Sequence, residues 1–125
     1  MITGKVWGAT QLLLRTPLLE VHKLFILPKM QCSLHCHRFK WNAFYVISGS
    51  LSIEVQKNDY DLTDITELDA GDFTTVRPGE YHRFTTERSA ICAQALEIYY
   101  PEFLSEDIVR KTCGGEILLN VERRS

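Results

Sequence analysis

Short runs of β-branched and aromatic residues, each closed by a turn signal, recur along most of this 125-residue chain. That rhythm restricts it to an all-β sandwich or barrel and excludes alternating helices and strands. Eight strands are predicted, at residues 10–15, 21–27, 31–38, 43–48, 50–57, 72–76, 82–86 and 91–99. Pro28-Lys29, Ser48-Gly49-Ser50, Ala70-Gly71-Asp72 and Pro78-Gly79-Glu80 separate them, each with a residue suited to turn geometry. So many short strands suit a jelly roll. The polar stretch Asn58 to Glu67 reads as an exposed connection, and it lacks the glycine and ligand spacing of a calcium loop. A short C-terminal helix is expected after Leu104, with Ser105 as N-cap, Glu106 and Asp107 in its first turn and Gly114-Gly115 ending it. No repeat, low-complexity tract or linker divides the chain. Residues 1–125 read as one domain, long enough to bury about two-thirds of the surface its unfolded form exposes.

The 14 basic and 16 acidic side chains leave a net charge of −2, which argues against a nucleic-acid partner bound through bulk charge. No run approaches the roughly 18 apolar residues of a membrane span, and the N-terminus lacks the features of a signal peptide. No membrane partner is therefore expected, and the expected location is cytoplasmic. Cys32, Cys36, Cys92 and Cys113 are irregularly spaced and read as reduced thiols, and the absence of a CxxC pair excludes a zinc finger.

In Ser33-Leu34-His35-Cys36-His37, strand alternation puts His35 and His37 on one face and Leu34 and Cys36 on the other. Two imidazoles so placed can share a metal, or they are simply two half-exposed histidines on a sheet. Further on, Gly71-Asp72 is followed by a short strand and by Arg77-Pro78-Gly79-Glu80-Tyr81-His82, whose proline-glycine turn delivers His82 to the next strand. The two elements together hold three of the four histidines.

The order H-x-H, then Gly49, then G-D and P-G-x-x-H, over roughly residues 30–86, resembles the two-motif signature of the cupin superfamily. The resemblance implies a double-stranded β-helix, in keeping with the predicted strands. It also implies a divalent metal ion (Zn, Fe, Mn or Ni) held by His35, His37 and His82 and by the residue five positions after His37. In the family that residue is glutamate; here it is Asn42, which offers a carbonyl oxygen and no charge. Either three neutral imidazoles hold the metal beside Asn42, or the fold has outlived its metal.

A narrower likeness reaches the ends of the chain. Lys5-Val6-Trp7-Gly8 is similar to the K-x-W-G opening of the cupin domain in type II mannose-6-phosphate isomerases. Gly79 to Arg83 matches part of that family's P-x-G-x-x-H-R, and Leu96-Glu97-Ile98 and Glu106-Asp107-Ile108-Val109-Arg110 match its late elements. Asn42 and Ala43 stand where that family has glutamate and histidine, and His35 stands where it usually has glutamine.

An aldose–ketose isomerisation needs a base and a cation that polarises the carbonyl. Glu97 is the acidic candidate, although the pattern of residues 91–99 leaves its face open. Arg83, ahead of Lys40, is the candidate for a substrate phosphate or carboxylate. Lys40, Tyr45 and Tyr99 are candidate pocket residues, with Tyr81 and Trp41 as further aromatics; Trp7 reads as structural and His22 as a surface residue. The expectation is a metal-binding cupin that acts on or binds a sugar or sugar phosphate. A three-histidine Fe(II) dioxygenase-type cupin and a non-catalytic carbohydrate-binding or structural cupin are the alternatives. The expected partners are a small-molecule ligand of carbohydrate type and, from the resemblance, a second copy in a homodimer. Leu12 to Leu14 is a candidate contact or, equally, plain core.

Overall fold

The computed structural model describes residues 1–57, 62–102 and 106–117. Nine strands are found among them: β1 (Ile2–Lys5), β2 (Gly8–Arg15), β3 (Glu20–Ile26), β4 (Trp41–Ser48), β5 (Ser50–Gln56), β6 (Thr63–Asp69), β7 (Phe73–Val76), β8 (His82–Thr85) and β9 (Ala93–Tyr100). They build two antiparallel sheets, one ordered β1-β2-β3-β9-β4-β7 and the other β6-β5-β8.

Strand alternation produces the core. Leu24 and Ile26 on β3, Phe44 and Val46 on β4, and Ala93 and Ala95 on β9 join Leu51 and Ile53 on β5, Leu68 on β6 and Phe84 on β8 in one buried cluster. Burial of each large member is worth about 1.5–3 kcal/mol. Followed along each strand, the same inward face turns polar: it carries Glu20 and His22 on β3, Asn42 on β4, His82 on β8, and Glu97 and Tyr99 on β9. One end of the barrel is thus an apolar plug and the other a polar cavity.

Gly49, the glycine between the two histidine motifs, turns β4 into β5 at φ +77°. A Cβ there would lie 2.7 Å from the Cys92 carbonyl oxygen, so backbone freedom and close approach both call for glycine.

Several expectations are corrected. Residues 31–38 form no continuous strand; they touch β8 through two isolated bridges, Gln31 to Thr85 and His35 to His82. The register slips by one residue between those bridges, which breaks the ladder. The supposed connection before Glu67 contains β6, while residues 58–61 lie outside the described part. Only Leu68 of β6 is buried, and its other positions are threonines, acids and the exposed Ile65 of a sheet edge, which masks the alternation. Strand β1 was hidden for a similar reason, being exposed throughout. Residues 106–117 contain no helix, and the proposed cap, Ser105, lies outside the described residues. A helix this short needs an apolar face to bury, and Ile108 and Val109 remain 55% and 97% exposed. No helix among the described residues is long and apolar enough to cross a membrane.

Candidate metal centre

His82 opens β8 and is 1% exposed. The turn before it closes through Gly79 N–H donating to the His37 carbonyl (2.7 Å), and the backbones of His35 and His82 exchange hydrogen bonds of 3.0 and 2.8 Å. The second motif is therefore fastened directly to the first. One ring nitrogen from each of His35, His37 and His82 lies within 4.8 Å of the other two.

Hydrogen bonds fix which nitrogens these are. His82 Nδ1–H donates to the Glu80 carbonyl (3.1 Å), and His35 Nδ1 pairs with the Ser33 hydroxyl (2.9 Å), so Nε2 is the nitrogen either ring could offer a metal, and on His82 a metal would have to displace the Asn42 amide from it. His37 Nε2 is buried with no hydrogen-bond partner. Burial, helped by Lys40 and the neighbouring imidazoles, lowers the His37 pKa to about 4, and burial lowers that of His82. Both rings are neutral at physiological pH, as metal ligation requires.

Asn42, 1% exposed, lies beside this cluster. Its Nδ2–H₂ donates to His82 Nε2 (3.2 Å) and to Glu97 Oε2 (3.1 Å), while its Oδ1 is buried and unpartnered. Buried polar atoms are normally satisfied. Three convergent imidazoles, one of them with an orphaned buried nitrogen, beside the orphaned Asn42 oxygen are surroundings that a divalent ion, or a water bound to one, would complete.

His35 opens onto a cavity of about 380 Å³ that Lys40, Glu97 and Tyr99 also line. Glu97 points inward from β9 and is 9% exposed; burial raises its carboxyl pKa, against the lowering effect of the Asn42 hydrogen bond. Burial, reinforced by Glu97, also raises the Tyr99 phenol. Lys40 Nζ sits 3.8 Å from the centre of the Tyr99 ring, a cation–π contact at the cavity wall. Trp7 lines the cavity as well and packs edge-on against Phe84 at 4.9 Å. All four cysteines are free thiols, and burial pushes that of Cys32 up to about 11.

Two expected site residues are not brought to the cavity. Arg83 follows inward-facing His82 and so faces the opposite side of β8, where it pairs with Glu54. Tyr45 follows Phe44 on β4 and is 41% exposed on the outer face. Conversely His22, expected at the surface, is inside: its side chain is 17% exposed, and it lines the cavity with Glu20 and Thr10. The signal was present, because His22 shares its strand face with Leu24 and Ile26.

The raised Glu97 pKa predicts a pH dependence of stability. A carboxyl protonated more readily when folded contributes stability below its unfolded value of 4.5, and that stability is lost as pH rises through the folded value. His37 acts in the opposite sense, costing stability as pH falls from 6.5 towards 4. In chelator-treated protein, Glu97→Gln should therefore raise Tm relative to the parent at pH 8, with the gap closing towards pH 4.5. A constant gap across that range would contradict the assignment.

No protein-family model matches the chain, and no curated protein does. Solved structures do. The capsular polysaccharide assembling protein CapF from Staphylococcus aureus superposes with a TM-score of 0.73 at 15% identity, over 86% of this chain and 32% of CapF. KdgF from Halomonas sp. gives 0.69 at 13% identity, over 82% of this chain and 89% of KdgF. The cupin domain of Cnp3 from Schizosaccharomyces pombe gives 0.65 at 8% identity, over 75% of this chain and 64% of that one. This chain spans only about a third of the length of CapF. At such identities the likeness speaks for the fold, and the fold of this chain is the double-stranded β-helix of the cupins.

Proposed function

We propose that the protein is a metal-dependent cupin that acts on or binds a small polyoxygenated ligand of the sugar or sugar-phosphate class, with His35, His37 and His82 as metal ligands and Asn42 as their neighbour. The observation that carries this reading is the convergence of ring nitrogens from three imidazoles within 4.8 Å, with His37 Nε2 buried and unpartnered among them and the unpartnered Oδ1 of Asn42 in the neighbouring side chain. A divalent ion bound there supplies Lewis-acid polarisation of a ligand oxygen. The chain's own residues supply the rest. Lys40 offers a cation at the cavity wall for an anionic group, and Thr10, Glu97 and Tyr99 offer hydrogen-bonding groups for hydroxyls. The sugar class is supported by this polar lining and by the name of CapF, a capsular polysaccharide assembling protein, also solved with the inhibitor 3-isopropenyl-tropolone. The reading includes a homodimer, supported by the exposure of Leu13 and Leu14 at the β2 bulge.

Elemental analysis of tag-free protein reconstituted anaerobically with Zn²⁺, Mn²⁺, Fe²⁺ or Ni²⁺ tests the metal, with about one chelator-removable ion per chain expected. Retention of none of the four would overturn the reading. For the ligand class, a panel of aldose and ketose phosphates should contain at least one compound that raises Tm only when metal is bound. No response across the panel from metal-loaded protein would remove the sugar assignment and leave the metal site standing.

A further inference from the structure

The proposed function leaves one pair of side chains unused. His22 sits on β3 directly across from Glu97 on β9, on the same inward face. Its Nε2 lies 2.6 Å from Glu20 Oε1, and Glu20 is held in turn by Arg15 Nε at 3.2 Å. Tyr99 stands edge-on between His22 and His37, with ring centres 5.9 Å from the first and 5.1 Å from the second. His22 is therefore one aromatic ring away from the imidazole cluster, on the wall of the same cavity.

The carboxylate decides the tautomer. Hydrogen bonds from His22 and Arg15 keep Glu20 below the ordinary carboxylate range, so it is ionised and can only accept. The proton of a neutral His22 must then reside on Nε2, and Nδ1 presents a lone pair. That lone pair faces Thr10 Oγ1 at 3.5 Å, the outer limit of a hydrogen bond. An imidazole with one nitrogen fixed by a carboxylate and the other in only a long contact with a hydroxyl is the base-and-orienter arrangement of proton-transfer sites. Glu97, the acidic candidate from the sequence, is more encumbered, because its Oε2 already accepts from Asn42.

We propose that His22, oriented by Glu20, is the proton-transfer residue of this cavity for ligands bearing a carbonyl next to a hydroxylated carbon. The C–H bond of that carbon breaks, its electron pair forms the C=C bond of an enediol, and the carbonyl π pair moves onto oxygen. The proton goes to Nδ1, and the resulting imidazolium is stabilised by the Glu20 carboxylate. Return of the proton to the former carbonyl carbon, with proton exchange between the two oxygens, completes an isomerisation with no oxidant or reductant. The inference rests on the reading of the cavity as a metal-dependent sugar site.

Dihydroxyacetone phosphate, a minimal α-hydroxyketone, is the probe, and replacement of its C–H by C–D in D₂O, followed by proton NMR, is the readout. Zn²⁺- or Mn²⁺-loaded protein should accelerate exchange, and His22→Gln should lower the rate by about 10²–10⁴-fold while keeping metal stoichiometry and Tm. Glu20→Gln should lower it less. In metal-free protein, ¹⁵N NMR should show His22 protonated at Nε2 and bare at Nδ1, a preference that Glu20→Gln weakens. Exchange that survives His22→Gln but disappears in Glu97→Gln would overturn the proposal and leave the sugar site intact, as would the opposite tautomer. Absence of exchange in the metal-loaded parent would overturn this inference, while the metal-retention and ligand-panel tests decide the sugar site separately.

Discussion

Replacing His82 by alanine is expected to lower the affinity for Zn²⁺ by about 10²–10³-fold. Structural zinc sites with four protein ligands bind with roughly 10–16 kcal/mol at neutral pH, so one ligand is worth about 3–4 kcal/mol. His82 should lie at the top of that range, because its ring is set before the metal arrives: the Glu80 carbonyl fixes the tautomer and the backbone bridge to His35 fixes its position. Parent protein with metal at a thousand times its Kd should gain about 4 kcal/mol, on the order of 10–20 °C in Tm, and the variant should lose most of this gain at the same concentration. Removing a fully buried ring also opens a hole beside Phe44, whose ring centre is 6.2 Å away. His35→Ala, at a half-buried position, separates the two effects, since it should lose metal affinity with a smaller change in metal-free stability. Parental affinity in both variants would remove the three-imidazole site.

The parts of this molecule that were legible in the sequence are those in which one strand carries its own signal. Alternating apolar residues in β3, β4 and β5 announce a buried face without knowledge of the partner, and His35, His37 and His82 are tied to turn glycines at fixed spacing. The parts that were not legible depend on pairing. Residues 91–99 carry apolar and polar side chains on both faces, and only the pairing of β9 between β3 and β4 turns Ala93, Ala95, Glu97 and Tyr99 inward. His22 differs: its face is legible from Leu24 and Ile26 on the same strand, and pairing adds only that Glu20 and Glu97 share its wall. Strand alternation alone indicates the faces of Arg83 and Tyr45: each follows an inward residue of its own strand, His82 and Phe44, and so points away from the cavity.

Gly8→Ala is expected to produce the largest loss of stability among single-methyl additions to this chain, more than about 4 kcal/mol, which is a large share of the 5–15 kcal/mol that usually holds a domain together. Gly8 pairs with Ile26 of β3 and with Lys5 of β1, at φ +152°, where side-chain-bearing residues are rarely found. A Cβ at this position would lie 1.8 Å from the Phe25 carbonyl oxygen and 2.9 Å from its carbon. These are ladder backbone atoms, which cannot swing aside as the end of a flexible side chain would. Relief requires β2 to part from β3, breaking the adjoining bond from Leu27 N–H to the Trp7 carbonyl (2.9 Å). Trp7 would leave its place against Phe84 and take one wall of the cavity with it. Gly4→Ala is the matched control: nothing lies within 4 Å of its added Cβ, so its urea midpoint should stay within about 0.5 kcal/mol of the parent. Equal midpoints for the two variants would show that the β2–β3 approach at Gly8 is not tight. A loss confined to Gly8→Ala, accompanied by a change in tryptophan emission, would tie the glycine after Trp7 to the shape of the cavity as well as to the fold.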